Sequence, residues 1–282
     1  MGEGKMQSPQ ENLRHVAAGN DLTQDQAAAV MEGIMSGQWS DAQIGSYLTA
    51  LHMKGETLDE IIGSAMVMRA KAFTQEVAAR PLLDIVGSGG DALQTLNVST
   101  LSGIVCAGAG VRIAKHGNRA MTGMCGSADI LEGLGVNLEL PPGDAIRGID
   151  ENGFAFLFAP HFHQSMKYAI GPRKDIGIPS IFNLLGPLTN PVGAEYYLMG
   201  VNKPENARRF TDVLIGLGCP HSLVVHGADG MDEITLTGET SVVEQKNGQI
   251  EEYTIQPEDF GGKIRNNGKA TVQIAVCNAR RC

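Results

Sequence analysis

At 282 residues, 43% of them hydrophobic, the chain is long enough to bury a full core as one large domain or two smaller ones. Its 22 basic and 31 acidic residues give a net charge of -9, which opposes non-specific attraction to a polyanion and argues against a nucleic-acid partner. The longest apolar runs, such as Phe154 to Ala159, are far too short to span a membrane, no basic-then-apolar signal segment opens the chain, and five scattered cysteines form no CxxC pair, so the sequence predicts a soluble, cytoplasmic protein with reduced thiols and no membrane partner.

Three capping-box patterns, Thr23 with Gln26, Ser40 with Gln43 and Thr57 with Glu60, each precede apolar residues at helical spacing. Gly37 and Gly55 stand where two of these helices would end, so the first quarter reads as antiparallel helices joined by short turns. From about Pro81 the pattern changes. Leu82 to Val86, Val111 to Ala114, Val136 to Leu140, Phe154 to Phe158, Tyr196 to Val201 and Ser222 to Val225 read as buried strands, mostly separated by helical stretches. That alternation predicts an α/β domain with a mostly parallel central sheet. The segment His161 to Asn190 breaks it with two helix-like stretches and the run GPLTNP. The expected organisation is therefore a small all-helical domain over residues 1–78, rejoined by 161–190, and a larger α/β domain over 79–282.

The first strand runs into Gly87-Ser88-Gly89-Gly90-Asp91, a glycine-rich loop at the carboxyl end of a buried strand, where open α/β sheets bind ligands. Glycines let backbone N–H groups approach an anion, although such a loop also serves as a plain tight turn, and its spacing fits neither the Walker nor the dinucleotide pattern. Asn97-Val98-Ser99-Thr100 then opens a small, apolar helix-like run, Leu101 to Ala109. A helix N-terminus suits phosphate. Asn97 or Ser99, read alone, is an N-cap. The second strand ends at Lys115-His116-Gly117-Asn118-Arg119, whose two cations suit a multiply charged phosphate, and Ser127 opens a further helix. His116 beside a glycine turn reads as structural. Asp232-Glu233 follows a strand and the turn Gly227-Ala228-Asp229-Gly230, and in company with phosphate loops it could hold Mg²⁺.

The runs GSGGD, NVST, KHGNRAMTGMCGSADILE, GPRKDIGIPSIFNLLGPLTNPVG and GMDE, in this order and spacing, resemble the anthranilate phosphoribosyltransferase family from the N-terminal helices to about Gly261. The resemblance implies the two-domain fold shared with pyrimidine nucleoside phosphorylases, a site in the cleft between helical and α/β domains, and a homodimer. It implies transfer of the phosphoribosyl group of phosphoribosyl pyrophosphate to the amine of anthranilate, in tryptophan biosynthesis. It places Gly87, Gly90, Asp91, Thr95, Asn97, Val98, Ser99, Thr100, Lys115, His116, Gly117, Asn118, Arg119, Ala120, Met121, Thr122, Gly123 and Ser127 around phosphoribosyl pyrophosphate. Anthranilate falls to Gly87, Asn118 and Arg173, and Mg²⁺ to Ser99, Asp232 and Glu233, with no residue acting as a covalent nucleophile.

Against the family pattern, Ser88 replaces a usual threonine, Met121-Thr122-Gly123 stands where a pair of serines is common, and Pro179 replaces a frequent arginine. Beyond Gly261 the tail Lys263 to Cys282 aligns to nothing in that pattern, and the alternation Thr271 to Val276 reads as a strand, which predicts a truncated or frame-shifted terminus. The alternatives are a pyrimidine nucleoside phosphorylase-like enzyme, against which NLLGPLTNP and Arg173 count, and an inactive or nucleic-acid-binding homologue.

Overall fold

A computed structural model describes residues 8–89, 97–119 and 126–262. The chain forms two compact units, Met1–Phe73 with His163–Thr189, and Thr74–Phe162 with Asn190–Cys282. In chain order the first elements are α1 (Pro9–Ala17), α2 (Gln24–Met35), α3 (Asp41–Lys54), α4 (Leu58–Lys71), β1 (Leu83–Gly87), α5 (Val98–Gly108), β2 (Ile113–Gly117), α6 (Ser127–Gly133), α7 (Pro142–Asn152) and β3 (Phe154–Phe158). They continue as α8 (Ala159–Phe162), α9 (Lys167–Ile176), α10 (Ile181–Leu185), β4 (Tyr196–Gly200), α11 (Glu205–Gly216), β5 (His221–Gly227), β6 (Thr240–Lys246) and β7 (Gln249–Ile255).

In the helical unit α2, α3 and α4 each start at the predicted capping box, with Thr23, Ser40 and Thr57 as N-caps, and Ser8 with Glu11 forms a further box at α1. The apolar faces bury Val30, Met31, Ile34, Tyr47, Leu48 and Ile61 almost completely. One charge lies inside. The Glu60 carboxylate is fully buried and accepts hydrogen bonds from Leu22 N at 2.9 Å, Thr57 N at 2.8 Å and Lys54 Nζ at 3.0 Å, so it locks the turn before α2 to the start of α4. Glu60→Ala leaves two N–H groups without their acceptor, while Lys54 Nζ keeps Asp21 Oδ1 at 2.6 Å and Gly55 O at 2.9 Å, and the expected loss in urea unfolding is about 1–3 kcal/mol. A loss below about 1 kcal/mol would show that the pair adds nothing there.

The second unit carries a seven-stranded sheet in the order β3-β2-β1-β4-β5-β6-β7. Strands β1 to β5 are parallel, as buried βα alternation demands, and β6 and β7 extend the sheet antiparallel. The chain goes outward from β1 to β3 and then returns to the other side of β1 with β4, which makes a switch point at the carboxyl edge beside β1. Three strand expectations change. Residues 136–140 form turns rather than a strand, because Pro141 and Pro142 follow at once and begin α7, and only Leu138 of the alternating set joins the core. Strand β2 lies at Ile113–Gly117 rather than residues 111–114, since Lys115 and His116 are buried and bonded inside the sheet rather than in a loop. The β6–β7 hairpin was not anticipated at all. Its turn is Asn247-Gly248, both at positive φ, a pair that favours tight hairpins.

Candidate active site

Parallel strands aim their carboxyl ends at one edge, and the motifs of β1, β2 and β5 all leave the sheet there. At the end of β1, Ser88 N donates to Gly200 O at 2.8 Å and Ser88 Oγ accepts from Asn202 N at 3.3 Å, so both the backbone and the hydroxyl of Ser88 are bonded at the β4 end. Asp232 packs so closely against this edge that a Cβ on Gly87 would stand 2.7 Å from its Oδ2, and a Cβ on Gly200 would coincide with its carbonyl oxygen. At Gly200 the clash is with backbone and glycine is required by proximity, not by φ, whereas at Gly87 a methyl group would displace only the end of the Asp232 side chain.

The start of α5 faces the same carboxylates. Ser99 N donates to Glu233 Oε1 at 3.2 Å, as a free N–H at a helix start is disposed to do. Beneath it lies Lys115, 2% exposed, whose Nζ donates to Ile85 O at 2.5 Å and to Ser99 Oγ at 3.2 Å. Burial pushes the pKa of this ammonium down, and the charges of Asp84 and Glu233 act the other way. Gly87, Ser99, Lys115, Asp232 and Glu233 are thus brought together. Asn97 makes no side-chain cap; its Nδ2 reaches Gly126 O at 3.4 Å, linking the starts of α5 and α6. Val98 is half-buried and Thr100 is fully buried within α5 packing.

A second group surrounds the end of β2. Asn118 O accepts from Ala128 N at 3.2 Å and from Ser127 Oγ at 3.3 Å, which ties the loop back to α6. The Arg119 guanidinium grips Glu132 at 2.7 and 2.9 Å and Asp129 at 3.2 Å, and lies 5.6 Å over the Phe158 ring. These carboxylates raise its pKa further. In this arrangement the Arg119 cation is committed to the carboxylates of α6. His116 is buried, and its N donates to Asp84 Oδ1 at 3.2 Å inside the sheet. Gly90, Asp91, Thr95, Ala120, Met121, Thr122 and Gly123 lie outside the described residues, as does the tail from residue 263.

In the helical unit Arg173 sits in the last turn of α9, half-buried, with its guanidinium 5.0 Å over the Phe182 ring of α10. Burial pushes its pKa down. Among the described residues no carboxylate stands within ion-pair distance of it.

The carboxyl edge fits a divalent cation of the hard, oxygen-seeking kind. Asp232 lies beside Gly87, Glu233 reaches Ser99 N, and the Ser99 hydroxyl is near by; these are oxygen donors, a chemistry that suits Mg²⁺ completed by water and phosphate oxygens. Sequence reasoning missed Asp84 and Asn190. Asp84 is the one charged residue in an otherwise apolar strand, and a carboxylate there signals a buried network. Asn190, inside GPLTNP, gave no separate signal.

Comparisons with known proteins agree along the chain. Residues 79–280 match the model described as glycosyl transferase family, a/b domain, and residues 10–72 match glycosyl transferase family, helical bundle domain. The first match runs past Gly261 and takes in the tail, which corrects the expectation that nothing in the family aligns there. The anthranilate phosphoribosyltransferase of Ectopseudomonas mendocina is 47% identical over 271 residues, covering 96% of this chain and 77% of that protein. Among solved structures, the enzyme of that name from Thermus thermophilus superposes with a TM-score of 0.84 at 42% identity, over 96% of this chain and 81% of its own. The Saccharomyces cerevisiae enzyme in complex with phosphoribosyl pyrophosphate and Mg superposes with a TM-score of 0.82 at 27% identity, over 98% and 80%. Fold, motif order and relatives together place this chain in the anthranilate phosphoribosyltransferase family.

Proposed function

We propose that this chain joins the amine of anthranilate to the ribose carbon of phosphoribosyl pyrophosphate with release of pyrophosphate, using Mg²⁺ held by Asp232, Glu233 and Ser99. Beyond membership of the family, the observation that carries this reading is the convergence of a glycine-flanked strand end, a helix start, a buried lysine and a carboxylate pair on one sheet edge. The start of α5 places backbone N–H groups beside Gly87, and Ser99 N, which donates to Glu233 Oε1 at 3.2 Å, is already turned toward that edge, where a phosphate oxygen can take over the bond. Lys115 holds the Ser99 hydroxyl in place and adds a nearby positive charge. Asn118 and Ser127 shape the loop that follows β2. Mg²⁺, when bound, neutralises charge on the departing pyrophosphate.

No side chain need act as a nucleophile, because anthranilate brings its own amine. The residues bind and orient, and positioning alone can contribute several orders of magnitude in rate. Arg173 is assigned the anthranilate carboxylate. A planar guanidinium grips a carboxylate in two places, and this one is already half-buried, with its Cζ 5.0 Å from the Phe182 ring centre. Arg173→Ala should raise KM for anthranilate roughly 10- to 100-fold, the worth of a charge-assisted hydrogen bond, and leave KM for phosphoribosyl pyrophosphate nearly unchanged. Steady-state rates with each substrate varied in turn decide this; equal shifts in both constants would remove the assignment.

A further inference from the structure

Strands β1 and β2 are neighbours, yet their paired register is the single match of Leu83 with Ile113, against five matches between β1 and β4 and five between β2 and β3. Beyond that match, polar side chains occupy the seam. Asp84 Oδ1 accepts from His116 N at 3.2 Å. Asn190 Nδ2 donates both to Asp84 Oδ2 at 2.9 Å and to Ala114 O at 2.8 Å. Lys115 Nζ donates to Ile85 O at 2.5 Å, supplying from a side chain the donor that a ladder would take from the backbone. Asp84, Asn190 and Lys115 are 0%, 1% and 2% exposed, so this network is sheet interior.

Two parallel strands of apolar residues would close this seam with backbone bonds alone. A carboxylate kept there must be met by donors, and a network that satisfies every member holds one geometry where an apolar seam could slide. The seam runs to the carboxyl edge, where β1 ends at Gly87 and β2 at Gly117. Asn190 clamps it from outside both strands. Its own Oδ1 accepts from Val192 N at 3.1 Å, which fixes the amide so that Nδ2 faces the seam.

We propose that Asn190, acting through Asp84, is a positioning residue that sets the spacing between the carboxyl ends of β1 and β2 and thereby the fit of phosphoribosyl pyrophosphate. The proposal rests on the function proposed above. Without the amide, Asp84 Oδ2 and Ala114 O lose a shared donor, and β2 is free to close on β1 or to admit water. Either shift moves Gly117 and Asn118 relative to Gly87. A displacement near 1 Å in such a site costs up to about a hundredfold in rate or affinity.

The test is calorimetric titration of phosphoribosyl pyrophosphate with Mg²⁺ into the full chain and into Asn190→Ala, alongside separate KM values for the two substrates. The expected result is a rise of about tenfold or more in Kd and KM for phosphoribosyl pyrophosphate, with KM for anthranilate within about twofold. A folded variant with unchanged Kd and KM for phosphoribosyl pyrophosphate overturns the proposal, whatever its melting temperature, and so does an equal rise in both KM values. Asn190→Ser, which keeps one hydroxyl donor, and Asp84→Asn, which keeps the shape, carry the same comparison if Asn190→Ala does not fold. If the unsubstituted chain binds phosphoribosyl pyrophosphate but does not consume anthranilate, the proposed function fails while the Kd comparison still decides the role of Asn190. Failure of the unsubstituted chain to bind it overturns both.

Discussion

Asp232→Asn combined with Glu233→Gln is expected to lower kcat by about 100-fold or more, because on the proposed assignment the developing charge loses the groups that hold its counter-ion. The substitutions preserve shape, so the packing of Asp232 against Gly87 and the Ser99 N–H contact to residue 233 both survive in outline. What disappears is charge. The expected signature is therefore a fall in kcat with a rise in the Mg²⁺ concentration needed for half-maximal rate, while the thermal melt of the metal-free protein changes little. Steady-state assays over a Mg²⁺ titration check it. Unchanged kcat and unchanged Mg²⁺ dependence would remove these two residues from the site.

Gly200→Ala should be nearly as damaging by a purely steric route. The methyl group would take the place of the Asp232 carbonyl oxygen, so either β4 or the 231–233 loop must move. Overpacking of this kind costs about 1–3 kcal/mol of stability. The catalytic loss should be larger than that cost implies, since the segment that yields carries both carboxylates. The variant should resemble the double carboxylate substitution in its Mg²⁺ dependence and differ from it in melting temperature. A variant with normal activity would mean that the loop can be displaced without consequence, contrary to the metal assignment.

The helical unit was the most legible part of the sequence, because a capping box is a local signal carried by two residues three positions apart and by little else. Thr23, Ser40 and Thr57 each cap the helix that the pattern placed there. The strands were legible where apolar runs are continuous, as at Phe154 to Phe158, and misread where polarity misled. Lys115 and His116 look like loop residues in sequence and are sheet interior, since their partners, Ile85, Asp84 and Ser99, come from other parts of the chain. Long-range satisfaction of that kind leaves no periodic trace. The β6–β7 hairpin is a different case, for Asn247-Gly248 was a readable turn signal. In the site, the grouping of Asp232 and Glu233 with Ser99 came from the family resemblance, since an acidic pair alone reads as solvated surface. The commitment of Arg119 to Glu132 and Asp129 was not legible, because an ion pair between a loop and the next helix depends on how that helix is rotated.

The most direct measurement is the loss of anthranilate fluorescence when the purified chain is mixed with phosphoribosyl pyrophosphate and Mg²⁺, with one control lacking phosphoribosyl pyrophosphate and another containing EDTA. The account predicts a decay that needs both, accompanied by stoichiometric release of pyrophosphate. A well-folded sample that binds phosphoribosyl pyrophosphate but leaves the fluorescence unchanged would contradict the assignment of anthranilate as the acceptor.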